Sequence, residues 1–266
     1  MRKLFRTAVL ILALPVQSYA GWVIVEHTRY TGSSEVLEST LYIQDNMLKS
    51  VDDEQILIFD LDNWLLTYVS QQKKGYWTGK PADYLRFVME FTLDMLEEEI
   101  KHADRYERPA LQALYDDLKM NLKHDMDAVE LIGELPVEII MTEQSEMIVG
   151  YRSNRYLVYF DRVLVEEVWL TPDIDLGSEY DFREFRAFID EMSWNGMFAN
   201  YRSSDEYIHL MKSGMPMRTV EDDQSATESV TEVVMIENRQ IPASEFYPPK
   251  GYSLMELDEL AGELHW

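Results

Sequence analysis

The sequence predicts an α+β fold in which an antiparallel sheet is covered by helices on one side. Blocks of strand-like sequence are interrupted by one long helical segment and one shorter helix, so strands and helices are segregated along the chain. The regular strand–helix–strand alternation of a Rossmann-like fold is missing. No internal repeat and no flexible linker divides the chain, so we expect a single domain.

The first block, residues 21–79, is rich in β-branched and aromatic residues with partial period-2 alternation, which is typical of strands. Its clearest hairpin covers residues 55–69, where two apolar strands flank Asp62 and Asn63. Both residue types tolerate positive φ, so we predict a two-residue type I′ turn at this point. Residues 71–75 (QQKKG) predict the next turn, with a short strand behind it.

The helical segment covers about residues 82–132. Pro109 interrupts its apolar pattern and fits the first turn of a second helix, so we predict a helical hairpin with a polar outer face. The apolar residues recur at three- and four-residue spacing in two stripes: Leu85, Val88, Thr92, Leu96, Ile100 and Ala103, then Leu111, Leu114, Leu118, Leu122 and Val129.

Strand-like sequence returns from Val137 in four segments (VEIIMT, EMIVGYR, RYLVYFD and LVEEVWLT). A third helix is predicted over about residues 181–194, with Asp181 as its N-cap and Glu184 completing a capping box. Residues 217–220 and 230–236 predict two more strands. The last fourteen residues have a weak helical spacing.

The first twenty residues match a secretory signal peptide. Three basic residues precede an apolar run of about ten residues, which is too short to span a membrane, and Ser18-Tyr19-Ala20 fits a cleavage site. We expect a mature chain of residues 21–266, in which removal of the three basic residues takes the formal net charge from −25 to −28. The chain has no cysteine to carry a lipid anchor, so we predict a soluble, monomeric periplasmic protein.

Composition and motifs exclude several function classes. Acidic residues outnumber basic residues 49 to 24, which argues against a nucleic-acid partner and leaves a basic protein as a possible one. The absence of cysteine excludes disulfides, thiolate catalysis and cysteine-ligated metals. The standard hydrolase, zinc-protease and dinucleotide signatures are also missing, so we expect no enzymatic activity and no cofactor.

Two acidic patterns were weighed as metal sites. Residues 173–184 place carboxylates at several positions of a calcium loop, but Gly177 and Ser178 occupy positions that need an oxygen ligand and a glycine. Glu98 and His102 could meet His124 and Asp127 across the helical hairpin. Solvated loops and polar helix faces explain both patterns more simply, so we predict no metal site.

Several motifs resemble those of the LolA-like superfamily of periplasmic proteins, and within it a bacterial domain of unknown function. The matching residues run through the second half of the chain: Gly150-Tyr151, Tyr156, Glu167-Val168-Trp169, the Gly-x-Pro-x-Arg motif Gly214–Arg218, Phe246 and Pro249–Tyr252. The resemblance implies a curved half-barrel sheet closed by a helical hairpin and a further helix around an apolar cavity. It also implies a lipid or acyl chain as the ligand, and no catalytic residues.

Our leading hypothesis is therefore a protein that holds a hydrophobic ligand in a half-barrel cavity. Its fourteen methionines after Met1 and its many aromatic residues suit an adaptable pocket, although an ordinary core would use the same residues. We predict that the cavity wall contains Trp64, Leu66, Tyr68, Val158 and Trp169. The alternative is a cell-envelope interaction module with a filled core and an acidic surface that binds a partner.

Overall fold

The computed structural model describes residues 21–53, 55–123, 136–192, 201–222 and 228–260. The predicted signal peptide, His124, Asp127 and the last six residues lie outside this part of the chain. The strands are β1 (Gly21–Tyr30), β2 (Val36–Gln44), β3 (Met47–Val51), β4 (Gln55–Asp60), β5 (Leu65–Ser70), β6 (Gly75–Gly79), β7 (Val137–Ile148), β8 (Tyr151–Phe160), β9 (Val163–Thr171), β10 (Met215–Asp222), β11 (Glu228–Arg239) and β12 (Ser253–Leu254). The helices are α1 (Pro81–His102), α2 (Arg108–Lys123), α3 (Phe182–Met192), α4 (Asp205–Lys212) and α5 (Leu257–Leu260).

These strands form one curved sheet that does not close. Its order is β12-β6-β5-β4-β3-β2-β1-β11-β10-β9-β8-β7, and every neighbouring pair except β12 and β6 is antiparallel. The pairing of β1 with β11, about 200 residues away in sequence, joins the first block of strands to the second. The predicted α+β class with a large antiparallel sheet is confirmed.

Helices α1 and α3 cover one face of the sheet. α1 lies over β5 and β6, where the rings of Tyr84 and Tyr68 are 6.2 Å apart. α3 lies over β4, where the rings of Phe188 and Phe59 are 5.7 Å apart. α2 packs against α1 in a separate apolar cluster around Leu118. Among the described residues, no helix is both long and apolar enough to cross a membrane.

The predicted turn at Asp62-Asn63 is wrong in its length. The strands pair last at Asp60 and Leu65, so four residues form the loop. Leu61 is buried in the core, and the carboxylate of Asp60 accepts hydrogen bonds from both nitrogens of Asn63, at 2.9 and 2.8 Å. These contacts close a wider turn than the type I′ geometry allows.

Two-residue turns with positive φ occur elsewhere in the sheet. Asp45 and Asn46 have φ of 50° and 59° and join the paired ends of β2 and β3. Asp161 and Arg162, at 46° and 68°, join β8 and β9 in the same way. Both pairs combine a turn-forming acid or amide with left-handed backbone, as a type I′ turn requires.

Other element boundaries also differ from the sequence prediction. The segments VEIIMT and EMI are one strand, β7, which carries an irregularity between Met141 and Ser145. Helix α4 was not predicted, although Ser204 caps it by accepting a hydrogen bond from the Tyr207 N–H at 3.1 Å. By contrast, Asp181 does cap α3, since its carboxylate accepts from the backbone of Arg183 at 2.7 Å and of Glu184 at 3.4 Å.

Gly214 permits the close approach of the segment before β10 to β9. A Cβ atom at this position would lie 2.1 Å from the carbonyl oxygen of Thr171, so a side chain cannot be accommodated without moving the backbone. The glycine of the Gly-x-Pro-x-Arg motif is therefore required for packing between neighbouring strands.

Candidate functional site

The two faces of β5 lie in different surroundings. We call the side toward α1 and α3 the helix face and the opposite side the outer face. Leu66 and Tyr68 lie on the helix face, and Leu65, Thr67 and Val69 alternate with them on the outer face. Apolar clusters are present on both sides, so this half of the sheet is packed on both faces.

Three of the predicted cavity residues lie close together in the core under α1 and α3. Leu66 and Tyr68 are 0% and 2% exposed, and Tyr68 packs against Tyr84 of α1. Trp64 lies in the loop between β4 and β5 with φ of 56°, and its ring is 5.3 Å from that of Phe188 in α3. These side chains fill the space between sheet and helices.

The other two predicted residues lie in β8 and β9. Val158 is fully buried beneath α4, in a separate apolar cluster. Trp169 is partly buried and packs against the same apolar cluster as Leu66, Tyr68 and Trp64. Four of the five predicted residues therefore belong to or border one apolar cluster, and Val158 belongs to another.

Trp169 is part of a ladder of charged side chains that crosses strands β8 to β10. It lies directly between Arg155 of β8 and Arg218 of β10, whose guanidinium carbons are 6.0 and 5.6 Å from its ring. Arg155 forms an ion pair with Glu167, with Nε 2.9 Å from Oε2. The Glu-Val-Trp and Gly-x-Pro-x-Arg motifs thus meet at one place in the sheet.

Arg218 in this ladder is held by two carboxylates. Its terminal nitrogens donate to Glu146 at 2.8 and 3.2 Å, and its Nε donates to Glu232. These bonds lower the pKa of the Glu146 carboxyl. Because the arginines are already paired, the ladder serves to join strands β7 to β11.

A buried ionic cluster fixes α4 to the sheet. Glu166 is 1% exposed and accepts hydrogen bonds from Arg202, at 2.9 Å, and from the Tyr207 hydroxyl, at 3.3 Å. Arg202 also pairs with Glu221. Burial raises the pKa of Glu166, and the positive charge of Arg202 opposes that shift.

A cleft of about 460 Å³ opens on the outer face of β3 to β6. Its floor is formed by strands, and the segment Pro242–Pro248, which we call the cover segment, forms the opposite wall. The lining is largely apolar: Met47, Ile58, Leu65, Tyr76, Phe246 and Pro248. The hydroxyls of Thr67 and Thr78, 2.8 Å apart, satisfy one another in the floor.

The cover segment is attached to the sheet at several points. Next to its start, the N–H of Ile241 donates to the side-chain oxygen of Gln44 at 2.8 Å. Glu245 pairs with the buried Lys49, with Nζ and Oε2 3.4 Å apart. Phe246 is 6% exposed and packs into the outer-face cluster that includes Ile58. The phenylalanine of the Phe-x-x-Pro-x-Gly-Tyr motif is therefore the apolar anchor of this wall.

The cleft is acidic where the turns meet. Asp45, Asp60 and Asp62 line this end, and among the described residues none of the three forms an ion pair. Two of them accept hydrogen bonds from neutral groups: Asp62 from the Asn46 side chain at 2.9 Å, and Asp60 from Asn63.

Another carboxylate, Glu179, lies beside Asp45 and is not among the residues that line the cleft. It is 6% exposed, and its Oε2 atom has no hydrogen-bond partner among the described residues. Burial raises the pKa of Glu179, a hydrogen bond from the Asp45 N–H to its carboxylate opposes that shift, and the negative charge of Asp45 adds to it. Its own backbone carbonyl accepts from the Asn46 N–H at 2.7 Å, which joins its loop to the β2–β3 turn.

The two acidic patterns weighed as metal sites have structural roles where they are described. Asp175 caps a short 3₁₀ helix by accepting from the Gly177 N–H at 2.9 Å, and Asp181 caps α3. Glu98 forms an ion pair with Lys101 at 2.7 Å. In the described ranges, no group of three or more histidine or acidic side chains is arranged to hold a metal ion.

Comparison with models of protein families gives a match in the second half of the chain. Residues 133–252 match the sequence model of a domain of unknown function (DUF4412). The resemblance to such a family, inferred from the motifs, is confirmed for this region. A comparison with curated proteins found no match.

Two solved structures are among those that match this chain. PNGF-II is 9% identical with a TM-score of 0.39; the match covers 92% of this chain but only 32% of that one, so the present chain has about a third of its length. A LolA superfamily protein from Nitrosomonas europaea is 6% identical with a TM-score of 0.29, over 87% of this chain and 91% of that chain.

Proposed function

We propose that this protein is a non-enzymatic binding protein that holds a hydrophobic small molecule, such as an acyl chain, in the cleft on the outer face. The observation that carries the proposal is the cleft itself, with its volume of about 460 Å³ and its largely apolar lining. This volume lies in the range of small-molecule sites, which are concave and mostly apolar. We further propose that the chain acts after export, in the periplasm.

The proposed location of the binding site follows from how deeply the side chains on the two faces of β5 are buried. A ligand at Leu66 and Tyr68 would have to displace α1 or α3, since both side chains are almost completely covered. A ligand at Leu65 needs no such rearrangement, because that side chain already borders open space. We therefore still propose a hydrophobic ligand, as in the half-barrel hypothesis, but we place its site on the opposite face of the same strands.

Burial of apolar surface would provide the affinity. Each methylene removed from water contributes about 0.8 kcal/mol, so an eight-carbon chain contributes about 6 kcal/mol before the cost of immobilisation. Phe246 is buried in the cover segment, whereas the adjacent Tyr247 is 65% exposed at the rim, where its ring could close over a bound chain. Binding of this kind requires no catalytic group.

Uptake of the neutral dye N-phenyl-1-naphthylamine tests the proposal, since its fluorescence rises when it enters an apolar site. We expect saturable uptake by the wild-type chain and at least tenfold weaker uptake by Leu65→Trp, which fills the cleft. Val163→Trp adds the same ring at a 45% exposed strand position outside the cleft and is the matched control. No saturable uptake by the wild type, or equal loss in both variants, would overturn the proposal.

The alternative function, an interaction module with a filled core, is supported by the packed helix face and the acidic composition. It expects a basic protein partner whose binding weakens as salt is added. Dye uptake separates the two functions, because the module has no need of an open apolar cleft.

A further inference from the structure

We infer that the edge strand β7 binds a partner protein by adding a strand to the sheet, and that the added segment is an extended peptide of alternating basic and apolar residues. The edge lies outside the cleft, so binding here is a further function, independent of the proposed one. Unpaired backbone groups, exposed apolar side chains and acidic charge coincide on one stretch of this strand.

The two edges of the sheet differ in length. One edge is formed by β12, which has only 2 residues. The other is formed by β7, which has 12 residues and, within the described chain, pairs with β8 alone. A long edge strand presents a row of unpaired N–H and C=O groups, and such a row can accept a strand from another protein.

The regular part of this edge lies between Pro136 and the irregularity that follows Met141. The carbonyl oxygen of Pro136 accepts from the Asp161 N–H at 3.1 Å, so the backbone at position 136 bonds toward the β8 side. Because the backbone groups of an antiparallel strand alternate in direction, every second residue then directs its N–H and C=O away from β8. These residues are Val137, Ile139 and Met141.

Apolar side chains are exposed on the same stretch. Ile140 is 42% exposed and Met141 is 57% exposed. Val137 and Ile139 border the apolar cluster beneath α4 and are only partly buried there. An added strand with apolar residues opposite Ile139 and Met141 would extend this cluster past the present edge of the sheet.

The charge of the edge favours a basic partner over a second copy of this chain. Glu138 and Glu143 are exposed, and among the described residues neither forms an ion pair. Pairing of two β7 edges would bring these carboxylates together in chains of formal net charge −25. A lysine or arginine opposite Glu138 would instead gain an ion pair.

Fluorescence anisotropy of a labelled peptide of alternating lysine and valine (Lys-Val-Lys-Val-Lys-Val-Lys) tests the inference. Its matched control is the same peptide with N-methyl groups on the valines, the residues that would lie opposite Ile139 and Met141. Both peptides carry the same charge, but the control has lost the N–H groups that would donate to β7. We expect the wild-type chain to bind the unmodified peptide at least about tenfold more tightly.

Two variants at Met141 separate the backbone from the side chain. Met141→Pro removes an N–H that points away from β8, so it should weaken peptide binding about tenfold while leaving the pairing with β8 in place. Met141→Ala keeps that N–H and should stay within about threefold of the wild type. Dye uptake should be unchanged in both variants, because Met141 is not a residue of the cleft.

A charge reversal provides a second test that does not depend on the proline variant folding. Glu138→Lys should weaken peptide binding about tenfold, whereas Glu35→Lys, at an exposed position outside β7, makes the same change in net charge and should keep most of the affinity. Equal weakening in these two variants, or equal binding of the two peptides, would trace the attraction to the general negative charge and overturn the inference.

The remaining outcomes also decide the matter. Self-association of the wild-type chain that is lost in Met141→Pro, measured by sedimentation, would assign the edge to a second copy and overturn the basic partner. Dye uptake without peptide binding would overturn this inference alone. Peptide binding that passes these controls without dye uptake would support it and overturn the proposed function.

Discussion

Leu65 and Leu66 are consecutive residues of β5 whose side chains leave opposite faces of the sheet. Leu66 is completely buried beneath the helices, and Leu65 is partly exposed and lines the outer-face cleft. The same residue type therefore contributes to the core at one position and to the candidate site at the next.

Alanine at these two positions should separate stability from binding. We expect Leu66→Ala to lower the free energy of unfolding by about 2–5 kcal/mol, because it leaves a cavity in a fully packed region. Dye affinity should change little while the protein stays folded. Leu65→Ala should cost less than about 1 kcal/mol and weaken dye binding. Urea unfolding and dye titration of both variants provide the measurements, and a stronger binding defect in Leu66→Ala would contradict the assignment of faces.

Gly214→Ala should be strongly destabilising. The added methyl group would meet the Thr171 carbonyl oxygen at 2.1 Å, so the junction of β9 and β10 must shift, at a cost of about 2–4 kcal/mol. Gly32→Ala is the comparison: Gly32 has φ of 87° with no atom within 4 Å of the added carbon, so only backbone strain of about 1 kcal/mol applies. Thermal unfolding of the two variants should rank them in this order; a smaller effect at Gly214 would argue against the close approach.

Glu26 should make stability depend on pH. It lies two residues after the buried Ile24 on the helix face, and burial raises the pKa of its carboxyl above the ordinary value. The folded chain thus holds this proton more tightly than the unfolded chain does. Its contribution to stability is fully present below the unfolded-state pKa and is lost as the pH rises through the folded-state pKa.

Glu26→Gln should remove this dependence. We expect the stability difference between the variant and the wild type to shift in favour of the variant as the pH rises from about 4.5 toward neutral and then to level off. Chemical denaturation across this range measures it, with Glu237→Gln, an exposed position on β11, as the control. A difference that does not vary with pH would show that the carboxyl is solvated in the folded chain.

Arg218→Lys should weaken the ladder around Trp169. A lysine cannot reproduce the paired hydrogen bonds to Glu146 or the bond from Nε to Glu232, so we expect a loss of about 1 kcal/mol. Arg239→Lys changes a 45% exposed arginine side chain that pairs with its near neighbour Glu237, and should cost close to nothing. Equal unfolding midpoints for the two variants would mean that the hydrogen bonds of Arg218 make no specific contribution to the free energy of unfolding.

Much of the fold could be predicted because local patterns were decisive. Pro109 lies in the first turn of α2, and Asp181 caps α3 as its spacing with Glu184 predicted. The type I′ turn could not be located in the same way. Asp45-Asn46 and Asp62-Asn63 are equally suitable in residue type, and the burial of Leu61 with the hydrogen bonds of Asp60 makes the second loop longer.

The sequence by itself determined the class of fold, the segregation of helices from strands and which residues of a strand share a face, because these follow from periodicity and capping. Only the tertiary structure decided which face each helix covers and where open space remains. Residues 55–69 are apolar on both faces of the hairpin, so the alternation of side chains cannot show which face lies beneath the helices. The cover segment, about 180 residues away in sequence, lies over Leu65 and leaves a cleft there, whereas α1 and α3 fill the space above Leu66.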